Sequence, residues 1–458
     1  MHAGLKRFVV SLTTSLAAVS TVCAASAFAA VPLTGVYRGE VYSQPNTVNA
    51  YSTWLGYDVK MGQGHQAKDS WGNIENPGWQ LGAWRTWVKA KAGRRFNYSV
   101  AMYPSGQGNL ASCAAGAYDQ RFKNLASNLV AYELQGTILR LGWEFSGNWM
   151  PWYSGNGQQA NFAGCFRRIV TAMRTQQPNA GFEFDWNPNY DISAADLAAT
   201  YPGDAYVDYI GLDMYDQGWN GSYPIPAGCT GSCALTRWQS IWNSQFGPAL
   251  TKFKNFAQSH GKRLSVPEWG VNDGATMGGG DDTYYVQQML AFIFNPANNV
   301  GYHSYFDIQA SDGHHQLSNA DNTGGNTFVT EFPNAAAVFK NYYAGLSQPA
   351  QWSSTKATVS PTSVARGQSF NVTGTVTSLS AQTVVVKYEI RNASTTALVT
   401  DRSYTAQAFT AGQMRNYTSA FIIPTSLSAG TYRVDTLVFT ADWTQTLLYR
   451  NDTTFTAN

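Results

Sequence analysis

The segment Thr137-Ile138-Leu139-Arg140-Leu141-Gly142-Trp143-Glu144 is a short apolar run that closes on a carboxylic acid. Its length suits a buried strand, and the acid stands just beyond its end. The same rhythm recurs along the first 345 residues. Strands are expected at 35–39, 57–61, 96–103, 137–143, 181–186, 207–214, 263–268 and 301–307. Amphipathic stretches suited to helices lie between them, at 117–132, 161–175, 238–260 and 283–294. Eight strand-then-helix units over roughly 300 residues predict an α/β fold of the (β/α)8 barrel type. A doubly wound open sheet is the competing architecture. It would carry a Gly-rich phosphate loop after an early strand. Gly278-Gly279-Gly280 follows no strand and reads as a flexible loop.

From Gln351 the rhythm changes to period two, at 370–376, 383–391, 398–406, 416–423, 430–439 and 447–455. Pro361, Gly367, Pro424 and Gly430 break the runs, and no helical stretch intervenes. This predicts a small antiparallel immunoglobulin-like β-sandwich. The expected organisation is a signal peptide over 1–29, a barrel over 30–345, a linker over 346–356 and the sandwich over 357–458. The sandwich reads first as a spacer or stability module. Carbohydrate binding through Trp443 and Tyr449 is the alternative.

Composition narrows the function. Only 13% of the 458 residues are charged, against roughly 25% in an average soluble protein, and the formal charge is +2. No basic field exists for gripping nucleic acid. With 44% hydrophobic residues the chain is not intrinsically disordered. No apolar run of spanning length follows the N-terminus. A near-neutral chain with 15 Trp suits a neutral ligand with flat apolar faces, such as a sugar stacked on an indole. The expected partner is a polysaccharide substrate, with no nucleic acid and no membrane after signal removal, and the chain itself is expected to be a monomer.

Lys6 and Arg7, the apolar Phe8 to Val22 and the small residues of Ala27-Phe28-Ala29 form a secretory signal with cleavage expected after Ala29. The alternative, an uncleaved anchor helix, is disfavoured because the apolar stretch is too short. Val22 before Cys23 is too large for a lipid-modification site. Export to an oxidising compartment fits the four remaining cysteines. Cys229-Thr-Gly-Ser-Cys233 is a natural local bridge, which leaves Cys113 with Cys165. A metal site among them is disfavoured, since no His stands near.

A barrel enzyme carries its chemistry at the C-terminal ends of its strands. The fourth expected strand ends at Glu144, followed by Phe145-Ser146-Gly147-Asn148-Trp149-Met150-Pro151-Trp152. The fifth ends Asp185-Trp186, the sixth Asp213-Met214-Tyr215, and the seventh Pro267-Glu268-Trp269-Gly270. Two glutamates set among Trp and Gly are what glycosidic cleavage needs. One protonates the leaving oxygen, and the other attacks or activates water. The bland reading of Glu144 is an ion pair with Arg140, four residues back on the same strand face. For Glu268 it is a helix-capping carboxylate.

These strand ends resemble glycoside hydrolase family 26, the β-mannanase family. The residues that carry the resemblance are Arg140, Glu144, Gly147, Trp149 and Trp152, then Asp213 and Tyr215, then Glu268-Trp269-Gly270. It implies Glu144 as acid/base, Glu268 as nucleophile, Tyr215 as a donor to Glu268, and retention of configuration through a covalent glycosyl-enzyme. Trp143 stands where the family has His, and Ser146 where it has Asn, so the polysaccharide is left open: β-mannan, β-glucan, xylan or a bacterial exopolysaccharide.

Candidate sugar contacts are Trp143, Trp149, Trp152, Trp186, Trp219 and Trp269, with Asp213 and Asp185 as hydroxyl partners. Trp54, Trp84 and Trp87 read as helix core. His65, His314 and His315 are expected on loops with incidental roles. Asp281-Asp282 is far short of a calcium ligand set. No metal and no cofactor is expected. Rival functions are a non-catalytic carbohydrate-binding barrel and a transglycosylase.

Overall fold

The structure is a computed structural model that describes residues 31–39, 44–273, 277–311, 313–321, 323–347, 352–443 and 446–458. The signal segment lies outside the described residues, and so does part of the expected linker. No helix among the described residues is long and apolar enough to cross a membrane.

Eight parallel strands close into a barrel: β1 (Leu33–Tyr37), β2 (Met61–His65), β3 (Arg95–Val100), β4 (Ile138–Leu141), β5 (Glu183–Trp186), β6 (Tyr209–Tyr215), β7 (Arg263–Gly270) and β8 (Val300–Phe306). The closing pair is β8 with β1, in register from Leu33 opposite Tyr302 to Tyr37 opposite Phe306. The strands are buried on both faces, which is why they read as short apolar runs rather than alternating ones. The barrel interior is layered. Met61, Ile138, Tyr209 and Tyr302, one from each even strand, form an apolar cluster of their own at the base. Two residues further along the same faces stand the polar Gln63 and Arg140, both fully buried. Two further on β2 and four above Tyr209 on β6 come His65 and Asp213, at the mouth.

The expected second strand, 57–61, is displaced to Met61–His65. Met-Gly-Gln-Gly-His has little apolar signal, because its outer face is filled by a neighbour instead of by its own side chains. A Cβ on Gly62 would meet the Trp84 ring at 2.1 Å, and one on Gly64 would meet Trp84 Nε1 at 3.0 Å. Trp84 and Trp87 on the helix Gly78–Lys89 are buried as expected, and Trp54 packs partly buried on the same core.

Beyond β8 a small hairpin of β9 (Gln309–Ala310) and β10 (Gly313–His314) precedes the last barrel helix, Pro333–Ser347. Disulfides join Cys113 to Cys165 and Cys229 to Cys233, as expected. The first ties the helix Leu110–Ala114 to the helix Gln159–Gln176.

The C-terminal strands are β11 (Trp352–Ser354), β12 (Thr358–Ser360), β13 (Ser363–Val364), β14 (Ser369–Ser378), β15 (Gln382–Asn392), β16 (Leu398–Phe409), β17 (Met414–Ile422), β18 (Gly430–Thr440) and β19 (Thr446–Ala457). They form a sandwich, one sheet of β11, β14, β12 and β17, the other in the order β13-β19-β18-β15-β16. Alternation is plain along β14 and β17, whose inward residues Phe370, Val372, Tyr417 and Phe421 meet Val386, Tyr388, Val434 and Phe455 from the other sheet.

The Gly62 contact is testable. Gly62→Ala drives a methyl into the Trp84 ring and should cost about 1–3 kcal/mol, read as a lower unfolding temperature. Gly72→Ala, whose Cβ would meet only Ser70 Oγ at 3.9 Å, should leave that temperature unchanged or slightly raised. Equal effects would show that Trp84 does not constrain β2.

Candidate active site

Arg140 organises the barrel mouth. It is fully buried and faces inward from β4. Its Nη1 donates to Glu268 Oε1 at 2.7 Å and to Ser99 Oγ at 2.8 Å. Its Nη2 donates to Asp213 Oδ2 at 2.8 Å, and its Nε to Asn187 Oδ1 at 2.9 Å. Asn187 in turn donates to Asp213 Oδ1 at 3.2 Å. A buried guanidinium survives only when its charge and its donors are matched. Here two carboxylates outweigh the burial that works against its charge. Arg140 therefore pairs with Glu268 and Asp213, and not with Glu144 as the bland reading supposed.

Glu268 reaches this mouth because of a bulge. Gly211 pairs with Ser265, but Asp213 pairs with Glu268, so β7 carries one residue more than β6 across the same interval. An extra residue turns the following side chains to the other face. Ser265 points into the barrel toward Asp185 Oδ2, 2.6 Å away, and Glu268 also points inward although it stands three positions further on, an odd step that regular alternation would turn outward. Tyr215 donates to Glu268 Oε2 at 2.8 Å, and His65 Nε2 lies 3.0 Å from Oε1. Burial would raise the Glu268 pKa, but the Arg140 charge and the His65 contact hold it well below the usual carboxylate range. Asp213 goes the other way. Burial pushes it well up, the Glu268 and Glu144 charges add to that, and Arg140 only opposes. Of these two acids, Glu268 is the one whose surroundings favour the ionised form.

Glu144 follows β4 in a tight turn at φ 53°, a conformation that costs a non-glycine residue about 1–2 kcal/mol. Its N–H donates to Asn187 O at 2.9 Å. The half-buried carboxylate accepts from Trp149 Nε1 at 3.1 Å. Gly147 makes this possible: a Cβ there would lie 2.4 Å from Trp149 Cζ2, so only glycine lets the indole fold back over the acid. One carboxyl oxygen from each of Glu144, Asp213 and Glu268 lie within 4.8 Å of one another.

The tryptophans divide by exposure. Trp149 is 62% exposed and Trp219 57%. Trp219 lies nearly parallel to Tyr190 at 6.1 Å, beside a cavity of about 300 Å³ lined by Tyr190, Pro248, Ala249 and the Lys252 stem among others. Trp152, Trp186 and Trp269 are fully buried, so the expectation that they present platforms to a sugar is corrected. Trp152 donates to Trp143 O at 2.8 Å. Trp186 packs on Phe145, Tyr201 and Phe256. Trp269, turned outward by the bulge, donates to His303 Nδ1 at 3.1 Å. Trp143 is 5% exposed, set 5.3 Å from the His65 ring and 4.6 Å from Trp152. Asp213 and Asp185 are also buried, held by Arg140 and by Ser265 with Tyr302, and neither stands open to solvent where a sugar hydroxyl would arrive.

Two residues were missed by sequence reasoning. His65 is no loop histidine: it ends β2, stacked on Tyr37 at 4.6 Å and in contact with Glu268. The Gly-Gln-Gly-His pattern held the signal, had the glycines been read as strand positions under a tryptophan. His315 is buried, its Nδ1 2.6 Å from Val271 O and its ring 4.7 Å from Tyr215. Nothing local in the sequence marks it.

Residues 25–226 match the model of glycosyl hydrolase family 26, a stretch that includes Glu144 and stops before Glu268. Endoglucanase H of Acetivibrio thermocellus is 25% identical over 291 residues, 61% of this chain and 29% of that protein. A mannan endo-1,4-beta-mannosidase of Bifidobacterium adolescentis is 27% identical over 140 residues, 28% of this chain and 14% of that protein. The aligned part is under a third of the length of either relative. The catalytic domain of an endo-beta-1,4-mannanase from Bacillus sp. JAMB-750 shares the fold, with a TM-score of 0.50 at 16% identity over 69% of this chain and 86% of that one. The barrel thus resembles glycoside hydrolases of family 26.

Beside the mouth, the Tyr223 hydroxyl lies 2.7 Å from Asp216 Oδ1 and 3.0 Å from Asp282 Oδ2, both acids being buried. One hydroxyl proton cannot serve two carboxylates, which favours a further proton shared between the two acids. Burial pushes Asp282 up from 3.8 to about 7, and Asp216 well up. The folded state then binds this proton more tightly than the unfolded chain. The associated stability is complete below about pH 4 and is lost as pH rises toward about 7. Asp282 also caps the helix Thr283–Ile293, a task Asn performs as well. Asp282→Asn should therefore flatten the fall in unfolding temperature between about pH 4 and 7. An unchanged pH slope would rule out the shared proton.

Proposed function

We propose that this family-26-like barrel belongs to a secreted, retaining endo-β-glycanase that cleaves a β-linked polysaccharide by double displacement. The observation that supports retention is the spacing of Glu144 and Glu268, with carboxyl oxygens within 4.8 Å of each other. Retaining enzymes hold their carboxyl groups about 5–5.5 Å apart, whereas inverting ones leave about 6.5–9.5 Å for a water.

The roles follow from the surroundings. Glu268, kept ionised by Arg140 and His65 and oriented by Tyr215, attacks the anomeric carbon. Glu144, under the Trp149 indole at the open side of the mouth, protonates the departing glycosidic oxygen. The covalent glycosyl-enzyme is then opened by water, whose proton passes to Glu144, and Glu268 leaves as carboxylate. Trp149 and Trp219 are the sugar platforms, and Trp143 with His65 walls the subsite at the cleaved bond. The catalytic unit is 30–345, and the sandwich serves as a spacer or stability module. The relatives' names cover both glucan and mannan, so the substrate is β-mannan, β-glucan, xylan or a bacterial exopolysaccharide.

The test is reducing-sugar release by the mature chain on a panel of these polymers. Release is expected on one polymer, falling about 10²–10⁴-fold or more in Glu144→Ala and Glu268→Ala. The first product seen by proton NMR should be the β-anomer. Equal release by Glu268→Ala would overturn the nucleophile, and an initial α-anomer would overturn retention.

A further inference from the structure

The loops beyond β7 and β8 gather three metal-ligating side chains that the proposed reaction does not use. Asp273 follows β7, His314 closes the β9–β10 hairpin, and Glu331 stands just before the helix Pro333–Ser347. One ligand atom from each lies within 4.8 Å of the others. His314 Nδ1 is 2.8 Å from Glu331 Oε1 and 3.1 Å from Asp273 Oδ2. Their sequence separations of 41 and 17 residues make the group invisible to any spacing rule, which is why no metal was expected.

Two anionic groups converge here on one ring nitrogen. That nitrogen carries at most one proton, which can point straight at only one carboxylate. Among the described residues, His314 is the sole ion-pair partner of both acids. A tetrahedral cation bound about 2.0–2.2 Å from nitrogen and oxygen ligands sets them about 3.3–3.6 Å apart, so both carboxylates need to move only a few tenths of an ångström from the ring nitrogen to admit it. One imidazole and two carboxylates suit zinc and the other first-row divalent ions, whereas calcium takes oxygen ligands throughout. All three side chains reach the surface, so the ion has an entry path and water can complete its coordination.

We propose that Asp273, His314 and Glu331 form a site for zinc or another first-row divalent cation, which staples the loops after β7 and β8 to the start of the last barrel helix. The backbone already prepares the staple, since Asp273 N–H donates to His314 O at 3.2 Å. The next residue, His315, holds Val271 O and packs on Tyr215, which donates to Glu268. The ion would fix the hairpin that backs this tyrosine. Binding itself does not depend on the glycanase reading.

The experiment is zinc titration of the chelator-stripped mature chain by calorimetry, with the unfolding temperature followed in parallel. Wild type should bind one zinc and unfold a few degrees higher with it, because only the folded chain assembles the ligands. His314→Ala should lose both effects, and Glu331→Gln should bind at least about tenfold more weakly. No stoichiometric binding by wild type would overturn the site. So would undiminished binding by His314→Ala. Loss in Glu144→Gln with retention in His314→Ala would move the ion to the mouth carboxylates, and would overturn the site equally.

Discussion

The buried guanidinium of Arg140 is the interaction on which the mouth of the barrel depends. It sits where water cannot reach, and it is tolerated because five donor directions meet Glu268, Asp213, Asn187 and Ser99. Those partners come from β3, β6, β7 and the segment after β5. A single side chain on β4 therefore ties the register of much of the barrel to the chemistry at its end. The same charge decides which acid stays ionised. Glu268 has Arg140, His65 and Tyr215, so it keeps its charge, while Asp213 shares the guanidinium from a fully buried position and is pushed up.

Two irregularities aim the two glutamates at the mouth. The extra residue in β7 turns Glu268 inward and Trp269 outward. The left-handed turn at Glu144 brings the second carboxylate over the first. Both are local departures from regular structure: the bulge lies within the β6–β7 ladder, which resumes at Asp213 opposite Glu268, and the turn lies just beyond β4. The glycines have the same logic. Gly147 admits the Trp149 indole over Glu144, and Gly62 admits Trp84 against the outside of β2.

Much of this was legible before the fold was seen. The alternation of short, largely apolar runs with helical stretches told the barrel, because a strand covered on both faces is mostly apolar, and β2, with its outer face filled by Trp84, was the run it misplaced. The period-two runs beyond residue 351 told the sandwich by the converse argument. Glu144 and Glu268 stood out because strand ends are where a barrel keeps its reactive groups, and Tyr215 through the family resemblance. The tryptophans misled in part. An indole after a strand end can lie over the mouth, as Trp149 does, or turn into the wall, as Trp152, Trp186 and Trp269 do. One residue of bulge or turn decides between these, and residue type does not report it.

Sequence alone determined the architecture, the Cys229–Cys233 bridge with Cys113 and Cys165 left to pair, and two glutamates at strand ends, since these rest on periodicity, short spacing, elimination and position in the barrel. Tertiary structure decided what depends on distant residues meeting. It placed His65 against Glu268, gave Arg140 its partners on other strands, set Asp216 beside Asp282, and brought Asp273, His314 and Glu331 together. Such meetings are fixed by strand stagger, bulges and loop paths, which are properties of the closed barrel and of no single segment.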